Sequence, residues 1–362
     1  MVNGKIQLLG ATNVKNYKRF IEPNEAFSRM FSVINLEEPN DDDAVLMLEN
    51  MVHELELTHG VIYSYPALRQ AVVLSRRYIQ ESVLPDKAKS VLDMAGARAK
   101  QNGESVVNVK QVAAVVTAKS GIPVHQVNVD EKHKLLTLET DIHKAFVGQD
   151  MAVKVVADSL RRARLDIRSD RRPIGSFLFV GPTGVGKTEL SKQLAKVYFG
   201  SEQAMVRFDM AEFSQLTMVN RLVGAPVGTS GYGIGGELTE RVRRHPFSLI
   251  LLDELEKAHP KVWDLLLQVL DEGRLTDAAG LTVDFTHTII IATNNAVTAY
   301  IQERLVKGDT LADMKNDLVG QLAQTFRLEF INRFDGIVPF APLSEQELAG
   351  VVILELDKFA KR

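Results

Sequence analysis

A chain of 362 residues with 45% apolar side chains, 25% charged side chains and a formal net charge of −3 is long enough for two hydrophobic cores and has the composition of an ordinary folded protein. Its charge balance excludes the broad basic surface of a nucleic-acid binder, and the lack of cysteine excludes disulfides, zinc–thiolate sites and cysteine nucleophiles, which leaves the cytoplasm as the default compartment. No stretch reaches about 18 uninterrupted apolar residues and no basic-then-apolar leader opens the chain, so neither a membrane span nor a secretion signal is expected.

In chain order, residues 5–9 (Lys-Ile-Gln-Leu-Leu) read as a buried strand running into Gly10-Ala-Thr-Asn13. A core strand with no preceding partner implies sequence upstream of Met1, because a lone strand leaves its backbone groups unpaired. Asp41, Asp42 and Asp43 open a helix whose apolar stripe is Ala44, Leu46, Leu48, Met51, Val52 and Leu55. Pro66 lies just inside a second helix over 65–80, and Pro85 opens a third over 86–100 that runs out at Gln101-Asn102-Gly103. A fourth amphipathic helix over 107–119 is closed by Gly121 and Pro123, and 124–140 reads as a connector. The basic run Arg161, Arg162, Arg164, Arg168, Arg171 and Arg172 reads as a solvated helix face and linker, with contact to nucleotide or a neighbouring subunit as the alternative. From 176 onward, short apolar runs at 177–180, 206–208, 249–252, 289–291 and 337–340 alternate with helical patterns. That alternation predicts an α/β domain with a parallel sheet covered by helices.

The segment Gly181-Pro182-Thr183-Gly184-Val185-Gly186-Lys187-Thr188 fits G-x-x-x-x-G-K-[ST], after an apolar strand and at the start of a helix, as a P-loop requires. Its glycines let backbone N–H groups converge on phosphate, Lys187 neutralises the β and γ phosphates of ATP, and the Thr188 hydroxyl can ligate Mg²⁺. The second half of such a site is the apolar strand 249–252 ending in Asp253 and Glu254: Asp253 for the Mg²⁺ water shell, Glu254 as general base for the attacking water. Asn294 and Asn295 end another strand, where an asparagine can orient that water or simply mark a turn. Arg333, close to the strand 337–340, reads equally as a surface ion pair on physics alone. Residues 231–236 formally contain G-x-G-x-x-G, but no strand leads in, and a run this rich in glycine reads as a loop with Tyr232 as its one large aromatic.

Together these residues resemble the double-ring AAA+ unfoldases and disaggregases of the Clp family. The similar blocks are Val147-Gly148-Gln149, Arg172-Pro-Ile-Gly175, the P-loop, Arg207-Phe-Asp-Met-Ala-Glu212, Leu252 to Pro260, Leu266 to Asp277 and Phe330-Ile-Asn-Arg333. The first half is similar too, through Gly10 to Asn13, Arg29 with Phe31, Arg77-Tyr-Ile79 and Leu84 to Ala88. The resemblance implies a remnant of a first AAA+ large subdomain over 1–35, its helical subdomain over 36–125, a linker over 126–145, the second AAA+ P-loop domain over 146–342 and the start of its helical subdomain over 343–362. It further implies Asn295 as the polar sensor, Val147 and Gly148 beside adenine, and Arg333 as an arginine finger lent to a neighbour, so that a ring, usually a hexamer, completes the site. The expected function is ATP-dependent unfolding or remodelling of protein substrates, with a nucleotide-binding assembly or adaptor piece as the alternative.

Three departures bound that expectation. The axial pore loop of family members commonly carries Gly-Tyr-Val-Gly, whereas this chain has Gly228-Thr229-Ser-Gly231, leaving Tyr232 as the substitute grip. Only a short loop stands near 97–105, where disaggregases insert the coiled coil that engages a DnaK-type partner. Residues 301–312 lack the tripeptide that docks on ClpP. Neither collaboration is therefore expected.

Overall fold

The computed structural model describes residues 8–13, 16–79, 82–120, 127–165, 171–225, 235–278, 280–311 and 313–360. Leu8 and Leu9 correct the expectation of a buried strand at the N-terminus: both are exposed and lie outside any strand, while residues 1–7 fall outside the described residues. Among the described residues no strand pairs with this segment, so nothing there holds its backbone in a sheet.

The helical half begins at Asp41–His59, where the Asn40 side chain accepts the Asp43 N–H at 2.9 Å and three aspartates sit in the first turn. It ends at Gly60, whose φ of 68° suits only a residue without Cβ strain. Helices Tyr65–Tyr78, Asp86–Gln101 and Val109–Ser120 pack with it. The region is not all-helical, because β1 (Ile62–Tyr63) pairs in parallel with β2 (Val106–Val107), taking the residue expected to open the fourth helix into a strand. At 102–103 a tight turn links the helix Asp86–Gln101 to β2, with Gly103 at φ 73°. The expected connector holds a helix, Val127–His143, whose Leu138 and Ile142 are fully buried beside the helix Asp150–Leu165.

The second half is a five-stranded parallel sheet of β4 (Met205–Asp209), β5 (Leu249–Asp253), β8 (Ile289–Asn294), β3 (Gly175–Val180) and β9 (Gly336–Pro339), in that spatial order. Each of the five apolar runs became one of these strands, and β3 and β8 are buried along their whole length, as interior parallel strands must be. Alternate residues face opposite cores. Phe177, Phe179, Leu251 and Ile291 join the core that continues into the helical half, and Leu178, Val180, Leu252 and Ile290 join the other. A small antiparallel pair, β6 (Arg274–Thr276) with β7 (Thr282–Asp284), follows the helix Pro260–Glu272. Between the two halves, Tyr78 stacks on Phe247 at 4.5 Å and Phe247 on His287 at 4.6 Å. Among the described residues no helix is long and apolar enough to cross a membrane.

Candidate functional site

Register brings the chemistry to one edge of the sheet. Val180 pairs with Asn294, Leu252 with Ala292 and Asp209 with Asp253, so β3, β8 and β5 finish side by side and the P-loop, the asparagines and the acidic pair all leave from their C-terminal ends. The P-loop turns sharply there. Gly181 has φ 146°, and a Cβ on it would stand 2.6 Å from the Phe340 carbonyl oxygen, so the end of β9 forbids any larger residue. Gly186, at φ 105°, starts the helix Lys187–Phe199 with the Phe146 ring behind it, 3.2 Å from where a Cβ would lie. Gln149 fastens the loop from the same side: its Nε2 donates to the carbonyls of Val185 at 3.2 Å and Ala341 at 2.7 Å, and its Oε1 accepts the Ala341 N–H at 3.3 Å.

The edge encloses a cleft of about 370 Å³, with Thr183, Gly184, Lys187 and Thr188 on one wall and Asp253, Glu254 and Asn295 on the other. Lys187 is buried, and its ammonium donates to the carbonyls of Gly181 at 2.5 Å and Pro182 at 3.1 Å and to Asn295 Oδ1 at 2.5 Å. Burial pushes its pKa down to about 8, against the opposing pull of Glu256, Asp253 and Glu254. Asp253 accepts a hydrogen bond from Arg207 at 2.6 Å and one from the Thr293 hydroxyl at 2.5 Å. Thr293 Oγ1 in turn accepts the Glu254 N–H at 2.8 Å, which holds Glu254 in a left-handed conformation, φ 56°. Its carboxylate meets Lys257 at 2.6 Å and accepts from Asn295 Nδ2 at 3.3 Å.

The two asparagines differ in placement. Asn294 is wholly buried and makes the turn, its Oδ1 accepting the Ala296 N–H at 3.0 Å, while Asn295 faces the cleft. Glu256 sets this division, accepting from Asn294 Nδ2 at 3.2 Å and from the Asn295 N–H at 2.9 Å. Sequence reasoning missed Glu256, Thr293 and Arg207. The only signal for Glu256 was a third acidic residue two positions beyond Glu254.

Val147 and Gly148 do not line the cleft. They stand beside it in the loop that carries Gln149, against the helix Glu345–Ala360, whose Glu347 side chain lies 2.3 Å from a Cβ built on Gly148. Arg333 is also outside the cleft, paired with Asp271 at 2.9 Å and more distantly with Glu329 at 3.8 Å. Thr229 and Tyr232 lie outside the described residues; flanking them, Gly224 and Gly235 form an antiparallel bridge. The basic run needs correction. Arg161 donates to the Leu135 carbonyl at 2.8 Å and pairs with Glu139, and Arg172 donates to two carbonyls, so both tie elements together instead of facing solvent alone.

The Lys187 environment makes pH a probe of the site. Because the folded pKa is depressed, the folded nucleotide-free chain holds fewer protons than the unfolded chain between about pH 8 and 10.5, and this group's contribution to stability rises with pH through that window. Phosphate binding needs the charged amine. ATP affinity should therefore weaken above about pH 8, by up to about tenfold per pH unit. Lys187→Ala should lose about 2–3 kcal/mol at neutral pH, roughly 30- to 150-fold, and show none of that pH dependence. Titration with a fluorescent ATP analogue between pH 7 and 10 reads both effects; equal affinities for the two proteins would remove Lys187 from the site.

Comparison with known proteins bears on the family of the chain. A family model described as AAA domain (Cdc48 subfamily) matches residues 172–337, and one described as AAA lid domain matches residues 40–140. The negative regulator of genetic competence ClpC/MecB of Bacillus subtilis is 37% identical over 430 residues, covering 100% of this chain and 53% of that protein. The ATP-dependent Clp protease ATP-binding subunit ClpE of Lactococcus lactis is 40% identical, covering 99% of this chain and 55% of that protein. Among solved structures, the S. cerevisiae Hsp104–ADP complex superposes with a TM-score of 0.83 at 35% identity, over 99% of this chain and 62% of that one. The chain thus spans about half the length of the curated relatives it matches.

Proposed function

The chain belongs to the Clp/Hsp100 family of AAA+ ATPases, and on that premise we propose that it is the ATP-hydrolysing engine of a cytoplasmic protein unfoldase or remodelling chaperone that works as a ring, usually a hexamer. The observation that carries the proposal is the meeting of Lys187, Thr188, Asp253, Glu254 and Asn295 on one cleft at the C-terminal edge of a parallel sheet. In this reading Lys187 and the P-loop amides bind the β and γ phosphates, with Val147 and Gly148 beside the adenine. Glu254 takes the proton of the attacking water, and Asn295, within reach of both Glu254 and Lys187, orients that water.

Thr188 and Asp253 supply the hard oxygen donors that suit Mg²⁺. When bound, Mg²⁺ offsets phosphate charge. Arg207 and Thr293 keep the Asp253 carboxylate in place for it.

Support for Arg333 acting on a neighbour comes from the strands. Asp335 and Gly336 sit level with Ser176 and Phe177 near the start of β3, so Arg333 lies at the opposite end of that strand from Gly181. Six residues of strand separate the two edges, about 20 Å at about 3.3 Å per residue. No side chain crosses that distance within one chain. Thr229 and Tyr232 are assigned to the substrate-gripping loop by sequence position.

The test is whether the full-length protein forms ATP-dependent hexamers that unfold a tagged fluorescent substrate. Loss of native fluorescence that requires ATP hydrolysis is the expected result. A hexamer that hydrolyses ATP and never unfolds anything would favour the reading as an assembly or adaptor piece, for which Thr229 in place of the usual aromatic is the motive.

A further inference from the structure

Arg172 stands three residues before β3, in the run first read as solvated. Its guanidinium instead reaches two backbones that are far apart in sequence. Nε donates to the Leu270 carbonyl at 2.8 Å, in the last turn of the helix Pro260–Glu272, and Nη2 donates to the Arg333 carbonyl at 2.9 Å. These two carbonyls flank a functional pair: Asp271, which follows Leu270, holds the Arg333 guanidinium at 2.9 Å. One fork therefore fixes both the backbone of Arg333 and the backbone of its partner.

A second set of bonds continues the fixation into the sheet. Asp335 accepts from the Ser176 N–H at 2.9 Å and from the Ser176 hydroxyl at 2.8 Å, and its own N–H donates to the Ser176 carbonyl at 2.9 Å. Ser176 is 2% exposed, and the far end of its strand, Val180, runs directly into Gly181 of the P-loop. Residues 333–335 are thus tied to the start of β3.

We propose that Arg172 is a positioning residue for Arg333, and that with Ser176 and Asp335 it couples each subunit's own P-loop to the finger that the subunit lends its neighbour. The proposal rests on the reading of Arg333 as a finger in trans. Only arginine suits the position, because its planar fork sends donors to two carbonyls at once, whereas a lysine ammonium on a flexible stem is not pre-organised for both. A misplacement of about 1 Å is enough to cost a catalytic group up to about a hundredfold in rate.

The test separates lending a finger from receiving one, in mixed assemblies of the full-length protein. Lys187→Ala subunits bind nucleotide poorly and still donate a finger; Arg333→Ala subunits bind nucleotide and donate none. Hydrolysis in the mixture arises where the first kind serves the second. Adding Arg172→Lys to the Lys187→Ala subunit should lower that hydrolysis by about tenfold or more, while adding it to the Arg333→Ala subunit should change it by less than about twofold and leave nucleotide affinity unaltered. Equal losses on both sides, or no loss on either, would overturn the proposal. Ser176→Ala repeats the experiment at an uncharged residue, with the same donor-only defect expected, and keeps the test open should Arg172→Lys fold poorly. If Arg333→Ala alone hydrolyses ATP at the wild-type rate, the finger reading itself fails, a result distinct from either outcome for Arg172.

Discussion

Glu254→Gln is expected to lower kcat by about a hundred- to ten-thousandfold while nucleotide affinity stays within about threefold, the separation that removal of a general base produces. The substitution is close to isosteric. The left-handed backbone at 254 is held by the N–H bond to Thr293, which glutamine keeps, and the amide oxygen of glutamine can still accept from Asn295 Nδ2. What is lost is the negative charge that faces Lys257 and that would receive the proton of water. The neighbouring carboxylate offers no substitute, because both Glu256 oxygens are committed to Asn294 and Asn295. Single-turnover phosphate release beside equilibrium nucleotide binding reads the two effects separately. Retention of kcat within a factor of a few would remove Glu254 from the role of base.

The sheet was legible because parallel interior strands are apolar on both faces, so β3, β5 and β8 stand out from the helices between them by texture alone. The P-loop was legible for a different reason: its phosphate-binding geometry is local, set by residues within eight positions. The rest of the site is built across strands. Thr293 reaches Glu254 over 39 residues and Arg207 reaches Asp253 over 46, and no pattern of adjacent letters records such a contact.

Neighbouring identical residues defeat sequence reading for a related cause. Asn294 and Asn295 are adjacent and identical, yet one closes the strand with its side chain on Glu256 and the other, just past the strand, turns its side chain to Lys187. Arg161 and Arg172 look like any helix-face cations until their carbonyl partners, 26 and 98 residues away, are known. Leu8 and Leu9 show the reverse error. Apolar letters suggest burial there, yet both side chains are exposed.

Arg333→Ala is expected to lower kcat in the assembled protein by about a thousandfold or more, the scale on which an arginine finger acts, and to leave nucleotide affinity of the single chain unchanged. Its resting contacts explain why the fold should tolerate the loss. The side chain is 41% exposed and paired with a partly exposed Asp271, a kind of ion pair worth about 0–1 kcal/mol, so removing it should barely shift the unfolding midpoint. The same weakness makes the side chain available. A pair of that strength can be exchanged for a phosphate charge on an adjoining subunit, whereas the backbone beneath it, gripped by Arg172, stays where it is. The reading therefore predicts a particular concentration dependence. Wild-type specific activity should rise as subunits associate, and the Arg333→Ala protein should stay at the low activity of dispersed chains at every concentration. If the variant and the wild type differ by the same factor when both are fully dispersed, Arg333 acts within its own chain, which the separation of the two sheet edges forbids unless the strands around β3 rearrange.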